Sequence, residues 1–207
     1  MGSPRTPCIG LTGGIGSGKS SVSRLLRQYG AEVLDADAIV HQLQARGNLL
    51  WSRYFQDLGW PYFDASGELL RSKVSRRLFS DSQFQQHISA VVHPIVHNVI
   101  QRHLREWQST AFRPLILDIP LLLESSWADA VDEVWVVYAT IEQQRQRVID
   151  RDGLNGKEVD RRIASQMALA QKITQADRII NNTGSLDHLK REVFTLWEQV
   201  NADFEPC

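Results

Sequence analysis

Gly13-Gly14-Ile15-Gly16-Ser17-Gly18-Lys19-Ser20 fits the pattern G-x-x-x-x-G-K-[ST], and this stretch decides how the rest of the chain is read. Glycines let successive backbone N–H groups turn inward and form a nest for phosphate oxygens. From such a loop Lys19 reaches the β- and γ-phosphates, and Ser20 offers its hydroxyl to Mg²⁺. The flanks agree with the loop. Cys8-Ile9-Gly10-Leu11-Thr12 is a short apolar run that predicts a strand, and Val22, Leu25, Leu26 and Tyr29 recur at helical spacing before Gly30 stops the pattern. The helix then points its positive end at the bound phosphates. A glycine-rich turn without a ligand is the plain alternative, and strand, loop and helix together argue against it.

Working outward, 207 residues suffice for one good core with room for an inserted subdomain. A hydrophobic share of 43% and a charged share of 23% are ordinary for a soluble globular protein. With 23 Lys and Arg against 24 Asp and Glu, nothing general draws the chain to nucleic acid or to an anionic membrane. No apolar run approaches the length of a membrane span, and the start Met1 to Pro7 lacks the apolar segment of a signal peptide. Two cysteines, Cys8 and Cys207, make no disulfide framework. These features predict a reducing, cytoplasmic, enzyme-like protein, monomeric or weakly self-associating, with neither a nucleic-acid nor a membrane partner.

After Gly30 the chain reads as a short strand, Ala31-Glu32-Val33-Leu34, ending in Asp35 and Asp37. Acids at a strand's carboxyl end lie where open α/β sheets place ligand chemistry. If the chain stays extended, their i, i+2 spacing puts both on one side. The alternative is that one caps the helix starting near Ala38, and for Asp35 the capping reading is preferred. Pro114-Leu115-Ile116-Leu117-Asp118 is a further buried strand ending in an acid, a shape that supports Mg²⁺ in phosphate-loop proteins but also occurs at plain turns. Glu133 to Tyr138 and Arg178 to Ile180 complete five strands, nearly continuous in apolar character as a parallel sheet covered on both faces requires. A last helix carries Leu186, Leu189, Val193, Leu196, Trp197 and Val200 on one stripe, with Ser185 as its N-cap.

Two segments do not belong to the sheet. Residues 48–113 show helical spacing and many aromatics, among them Trp51, Tyr54, Phe55, Trp60, Tyr62 and Phe63. The segment is too long for a plain crossover and predicts a helical insertion for an acceptor substrate, with a break or kink at His93-Pro94. Residues 141–174 carry Arg145, Arg147, Arg151, Arg161, Arg162, Gln166 and Lys172 on a helix–loop–helix. Guanidinium groups there suit a lid closing over a transferring phosphate, and Arg147 is the foremost candidate; a solvated helix pair is the alternative. The core is then residues 1–47, 114–140 and 175–207. The loop around Asn182 and Gly184 is a candidate for touching a purine edge through its backbone. His93 and His97 lie at i, i+4, but no acid or cysteine is spaced to complete a zinc site with them.

Taken in order, the motifs resemble the dephospho-CoA kinase family over nearly the whole chain. They are Gly10 to Ser20, Asp35-Ala36-Asp37, His93-Pro94, Asp118-Ile119-Pro120-Leu121-Leu122 with Glu124, Val134 to Val137, Arg162 to Gln166, Ala176-Asp177, and Asn182 to Ser185. The resemblance implies an α/β, three-layer, P-loop nucleoside-kinase-like fold with a five-stranded parallel sheet, a helical substrate-domain insertion and a helical lid. It implies transfer of the ATP γ-phosphate to the ribose 3′-hydroxyl of dephospho-CoA, with Mg²⁺. By the same resemblance Asp37 is the catalytic base, acting with Lys19 and Arg147, and Asp37, Arg71, His93 and Leu121 meet the acceptor. Gly13, Gly14, Ile15, Gly16, Ser17, Gly18, Lys19, Ser20, Ser21, Arg147, Asn182 and Gly184 meet ATP, and Ser20, Asp37 and Asp118 serve the metal. Ser21 stands where threonine is commoner in the family, outside the metal-binding set.

Two other readings compete. Another small-molecule P-loop kinase, acting on a nucleoside monophosphate, shikimate or a sugar, shares loop and lid without needing the aromatic-rich insertion. A GTPase switch would read guanine with Asn-Lys-x-Asp, a tetrapeptide this chain lacks.

Overall fold

Five apolar runs become strands in the computed structural model, which describes residues 6–110 and 113–202 apart from the side chains of Phe79, Thr110 and Ser126. β1 (Cys8–Gly13), β2 (Glu32–Asp35), β3 (Leu115–Asp118), β4 (Glu133–Tyr138) and β5 (Arg178–Asn181) form one sheet in the order β2-β3-β1-β4-β5. β1 pairs in parallel with β3 and β4, and β4 with β5. Every residue of β1 is buried, as expected for a central parallel strand covered on both faces. The register sets Leu11 opposite both Asp118 and Trp135, so β3 ends on Asp118 two residues short of the carboxyl end of β1. That is where an open α/β sheet leaves its ligand crevice. Cys8 is buried and in no disulfide among the described residues, whereas Cys207, the end of the Asn201–Cys207 tail and the first five residues lie outside the described residues.

The contacts divide the chain into two compact units, Met1–Leu34 with Thr110–Cys207, and Asp35–Ser109. In the first unit, α1 (Lys19–Gln28) and α9 (Leu186–Ala202) pack Val22, Leu25, Leu26, Leu189, Val193 and Trp197 against sheet residues Ile9, Leu11, Ile116 and Trp135. Trp197 is held further by its indole N–H, which donates to the Tyr29 carbonyl at 2.9 Å. Ser185 caps α9 through the His188 N–H, but Leu186, expected on the buried stripe, is exposed at the helix start. Between β4 and β5 lie α6 (Ile141–Asp152), α7 (Gly156–Ala164) and the short α8 (Leu169–Ile173). α6 opens with a full capping box, Thr140 with Gln143, and closes at Gly153 in the left-handed region.

The second unit contains α2 (Ala36–Leu43), α3 (Leu49–Leu58), α4 (Arg71–Ser80) and most of α5 (Ser82–Thr110). It therefore starts at Asp35 and takes in α2, ahead of the boundary at residue 48 that composition suggested. Tyr54, Phe63, Leu69, Val74, Phe84 and Ile88 form its core. Trp51 stacks on Phe55 with centroids 5.4 Å apart, and Phe63 meets both rings edge-on. Most of the segment's aromatics are thus packing residues, although Trp60 is exposed.

Of the break or kink expected at His93-Pro94, the break does not occur, because α5 runs through Pro94 as one 29-residue helix. An internal proline costs about 3 kcal/mol through the lost N–H bond and its clash with the preceding turn. On either side of it Phe84, Ile88, Ile100, Leu104 and Trp107 are buried at helical spacing. At about 1.5–3 kcal/mol for each large apolar side chain, that burial outweighs the proline.

Candidate active site

The glycine pattern puts the turn between β1 and α1 into conformations that other residues resist. Gly16 has φ +73° and Gly18 φ +95°, and a Cβ at either position would overlap neighbouring atoms, the Gln144 carbonyl and the Asn182 side-chain amide respectively. Gly18 is also the N-cap of α1, which starts with no side-chain cap and no acid in its first turn. Among the described residues, the backbone N–H groups of Gly16, Gly18, Lys19 and Ser20 have no acceptor. Adjacent donors at a helix N-terminus form a ready anion site. Ser17 and Ser21 contribute differently, since their N–H groups bond to the carbonyls of Gly14 and Gly18, closing the turn. We expect Gly16→Ala to weaken ATP binding at least tenfold while the fold persists, because the left-handed backbone and the Gln144 carbonyl both oppose a Cβ. Calorimetric titration with ATP beside thermal unfolding checks this.

Surrounding side chains hold the loop from outside. The Arg147 guanidinium, reaching across from α6, donates to the carbonyls of Ser17 (3.2 Å), Gly16 (3.4 Å) and Asn182 (2.8 Å). Asn182 adds a bond from its side-chain amide to Ser17 O at 2.7 Å. Turning these carbonyls outward leaves the neighbouring amides facing the other way, which is the arrangement a nest requires. The Asn182 N–H also bonds to Tyr138 O, so its backbone N–H and carbonyl both have partners inside the protein. Gly184, in the same loop, is exposed, and the Thr183 carbonyl beside it accepts from Gln143 at 2.8 Å.

Lys19 and Asp118 form an ion pair beneath the loop, with Asp118 2% and Lys19 16% exposed. The end of β3 therefore supplies a buried carboxylate next to the loop lysine. Ser20 is exposed in the first turn of α1. A hydroxyl and a carboxylate are the oxygen donors that Mg²⁺ takes when phosphate and water complete its shell, so these residues fit the ion. Among the described residues no group of three or more His, Cys, Asp or Glu side chains converges, and His93 and His97 are exposed on α5.

The other lid cations have different partners. Arg145 pairs with Asp160 at 2.9 Å and Arg162 reaches Asp152, so these two tie α6 to α7, while Arg151 pairs with its neighbour Asp152 inside α6. The Asp152 carboxyl is held below its usual range chiefly by the Arg151 hydrogen bonds, against partial desolvation. Lys172 is fully buried and bonds to Glu124 (2.8 Å) and the Pro120 carbonyl (3.1 Å), so its ammonium is engaged inside the protein. Leu121, in the same turn as Pro120, is exposed. Gln166 is a contact that spacing did not reveal: its side-chain oxygen accepts from the Ile15 N–H at 2.9 Å.

Within the second unit, Asp35 caps α2 by accepting from Ala38 N at 3.0 Å. The helix begins at Ala36, so Asp35 and Asp37 do not share one side of an extended chain; Asp37 lies exposed in the first turn of α2. Arg71, the first residue of α4, lies 2.9 Å from the His41 ring, and its Nε is buried with no partner among the described residues. A hollow of about 320 Å³ near Tyr62 and Phe84 contains none of the expected site residues, and its Arg77 is already bonded to Tyr62 and Asp81.

A family model for dephospho-CoA kinases matches residues 7–188. The chain belongs to the dephospho-CoA kinase family. A dephospho-CoA kinase from Symbiobacterium thermophilum is 44% identical over 91% of this chain and 79% of its own length. One from Carboxydothermus hydrogenoformans is 34% identical over 93% and 94%. Among solved structures, TT1252 from Thermus thermophilus superposes with a TM-score of 0.76 at 34% identity, covering 97% of this chain and 99% of that one. A shikimate kinase from Acinetobacter baumannii matches at a TM-score of 0.52 and 15% identity over 96% and 94%, a likeness of fold alone. Family and fold agree with the phosphate loop: this is an α/β P-loop kinase.

Proposed function

We propose that the protein transfers the γ-phosphoryl group of ATP to the ribose 3′-hydroxyl of dephospho-CoA, giving coenzyme A and ADP. The observation that carries the donor half is the set of acceptor-less amides at Gly16, Gly18, Lys19 and Ser20, at the start of an uncapped helix. Family membership carries the acceptor half. The attacking oxygen forms its bond to the γ-phosphorus as the bond to the β–γ bridging oxygen breaks, and ADP leaves with that electron pair. Little covalent work is left to the protein, so positioning and charge neutralisation supply most of the acceleration.

In this reading Asp37 takes the hydroxyl proton. Lys19 exchanges Asp118 for the β- and γ-phosphate oxygens, and Ser20, with Asp118, holds Mg²⁺, which supplies charge neutralisation on the phosphates when bound. Arg147 uses three of its guanidinium contacts on carbonyls, yet a guanidinium has five N–H donors, so it can hold the loop and also meet a phosphate. Arg71, with its buried unpaired Nε beside His41, is the acceptor-anion residue in the second unit, with His93 and Leu121 as further acceptor contacts. Residues 141–174 act as the lid and the helical insertion takes the acceptor. No helix among the described residues is long and apolar enough to cross a membrane. Action in the cytoplasm, as a monomer or weak homo-oligomer, belongs to the same reading.

The test is phosphotransfer from ATP with dephospho-CoA beside AMP, shikimate and adenosine. We expect turnover with dephospho-CoA to exceed that with each of the others by orders of magnitude. Preference for AMP or shikimate would move the protein to the other small-molecule kinases.

A further inference from the structure

Among the described residues, every side-chain hydrogen bond from outside to the backbone of residues 14–18, save one, falls on a carbonyl. Arg147 and Asn182 bond to the carbonyls of Gly16 and Ser17. The exception is the Ile15 N–H, which donates to the Gln166 side-chain oxygen at 2.9 Å across 151 residues of sequence. Gln166 lies in the link between α7 and α8. That link is fixed independently of the loop. The Met167 N–H donates to Glu124 at 3.1 Å, and fully buried Lys172 bonds to the same carboxylate and to the Pro120 carbonyl. Pro120 O also accepts from the Thr12 hydroxyl at 2.9 Å, which brings the anchor back to β1 just ahead of the loop. Gln166 is thus presented to the loop from a platform pinned by a buried ion pair. On its other side the same link continues into α7, which Arg145–Asp160 and Arg162–Asp152 tie to α6.

We propose that Gln166 is a positioning residue for phosphoryl transfer: it fixes the Ile15 peptide and couples the phosphate loop to the α6–α7 pair. This rests on the kinase reading above and deepens it. Gln166 touches no substrate in the proposal; it acts through the loop. Because coupling between two sites is reciprocal, a nucleotide that orders the loop also orders α6–α7 through this bond, and ordering of the helices tightens nucleotide binding by the same factor.

The test compares the wild type with Gln166→Met, which keeps the side chain's length without its acceptor oxygen, and with Gln166→Glu, which retains an oxygen at the same reach. Amide exchange is followed at Ile15 and across residues 156–164, with and without a non-hydrolysable ATP analogue, beside calorimetric affinity and thermal unfolding. In nucleotide-free wild type we expect Ile15 to exchange more slowly than Gly16. This protection is lost in Gln166→Met and kept in Gln166→Glu. In Gln166→Met we also expect analogue affinity to fall on the order of tenfold. The analogue then no longer slows exchange across 156–164, and KM for dephospho-CoA stays unchanged. If wild-type Ile15 exchanges as fast as Gly16, or if Gln166→Met keeps both its affinity and the analogue's effect on 156–164, the proposal is overturned. The wild-type measurement decides even if a variant fails to fold. Wild type that binds no nucleotide would defeat the kinase reading instead, while the Ile15 comparison would still report on the bond itself.

Discussion

Replacing Asp37 by asparagine is expected to lower kcat by about 10²–10⁴-fold, the usual contribution of a general base, and to leave ATP affinity nearly unchanged. The expectation starts from a division of labour between two neighbouring acids. Asp35 is committed to capping, since its carboxylate accepts from Ala38 N and ends the strand as the helix begins. Asp37 sits further on, exposed in the first turn of the helix that Asp35 caps. Asparagine keeps the size and loses the basicity. The internal control is Asp35→Asn, because asparagine caps a helix as well as aspartate does, so kcat should stay within about threefold. Steady-state kinetics with dephospho-CoA and calorimetry with ATP read the two outcomes apart. Near-normal kcat in Asp37→Asn would remove Asp37 from the chemistry. Equal losses in both variants would instead assign the effect to the start of α2.

How far the site could be read from the chain follows from how local each signal is. The phosphate loop was legible because glycine spacing, a preceding apolar run and a following helical stripe all lie within about twenty-five consecutive residues, and backbone conformation is set at that range. β3 and Asp118 were legible for the same reason. The lid cations were not. Arginines and a lysine look alike in sequence, and only the fold shows that Lys172 is sealed against Glu124 while Arg147 spans α6 to the loop carbonyls. Gln166 was marked as the end of a family motif, but nothing local named its contact, because its partner Ile15 lies in another part of the chain. Pro94 did not break its helix, since the local rule about proline was outweighed by apolar burial on both sides of it in α5. Asp35 and Asp37 misled through an assumption of extended chain that the early start of α2 removes.

Removing the Lys19 ammonium is expected to have two separable effects, and the second follows only from the structure. The first is catalytic. Lys19→Ala deletes the cation that meets the β- and γ-phosphates, so ATP affinity and kcat should both fall, with kcat/KM lower by about 10²–10³-fold on the scale of a lost charge-stabilising donor. The second is on stability. Asp118 is 2% exposed and paired with Lys19, so the variant leaves a buried carboxylate without its cation. Breaking a buried pair from one side costs about 3–5 kcal/mol, whereas removing both charges is often nearly neutral. Lys19→Ala should therefore unfold at a clearly lower temperature than wild type without nucleotide. Lys19→Ala with Asp118→Asn should recover much of that loss, because the buried charge is gone. Activity should not recover, since neither the phosphate-binding cation nor the carboxylate that serves Mg²⁺ has been restored. Thermal unfolding and kinetics on the two single variants and the double variant complete the cycle. Wild-type kinetics in Lys19→Ala would defeat the phosphate-loop assignment itself. A double variant no more stable than Lys19→Ala would show that the pair is exposed enough to be screened, leaving the catalytic role of Lys19 intact but removing its structural one.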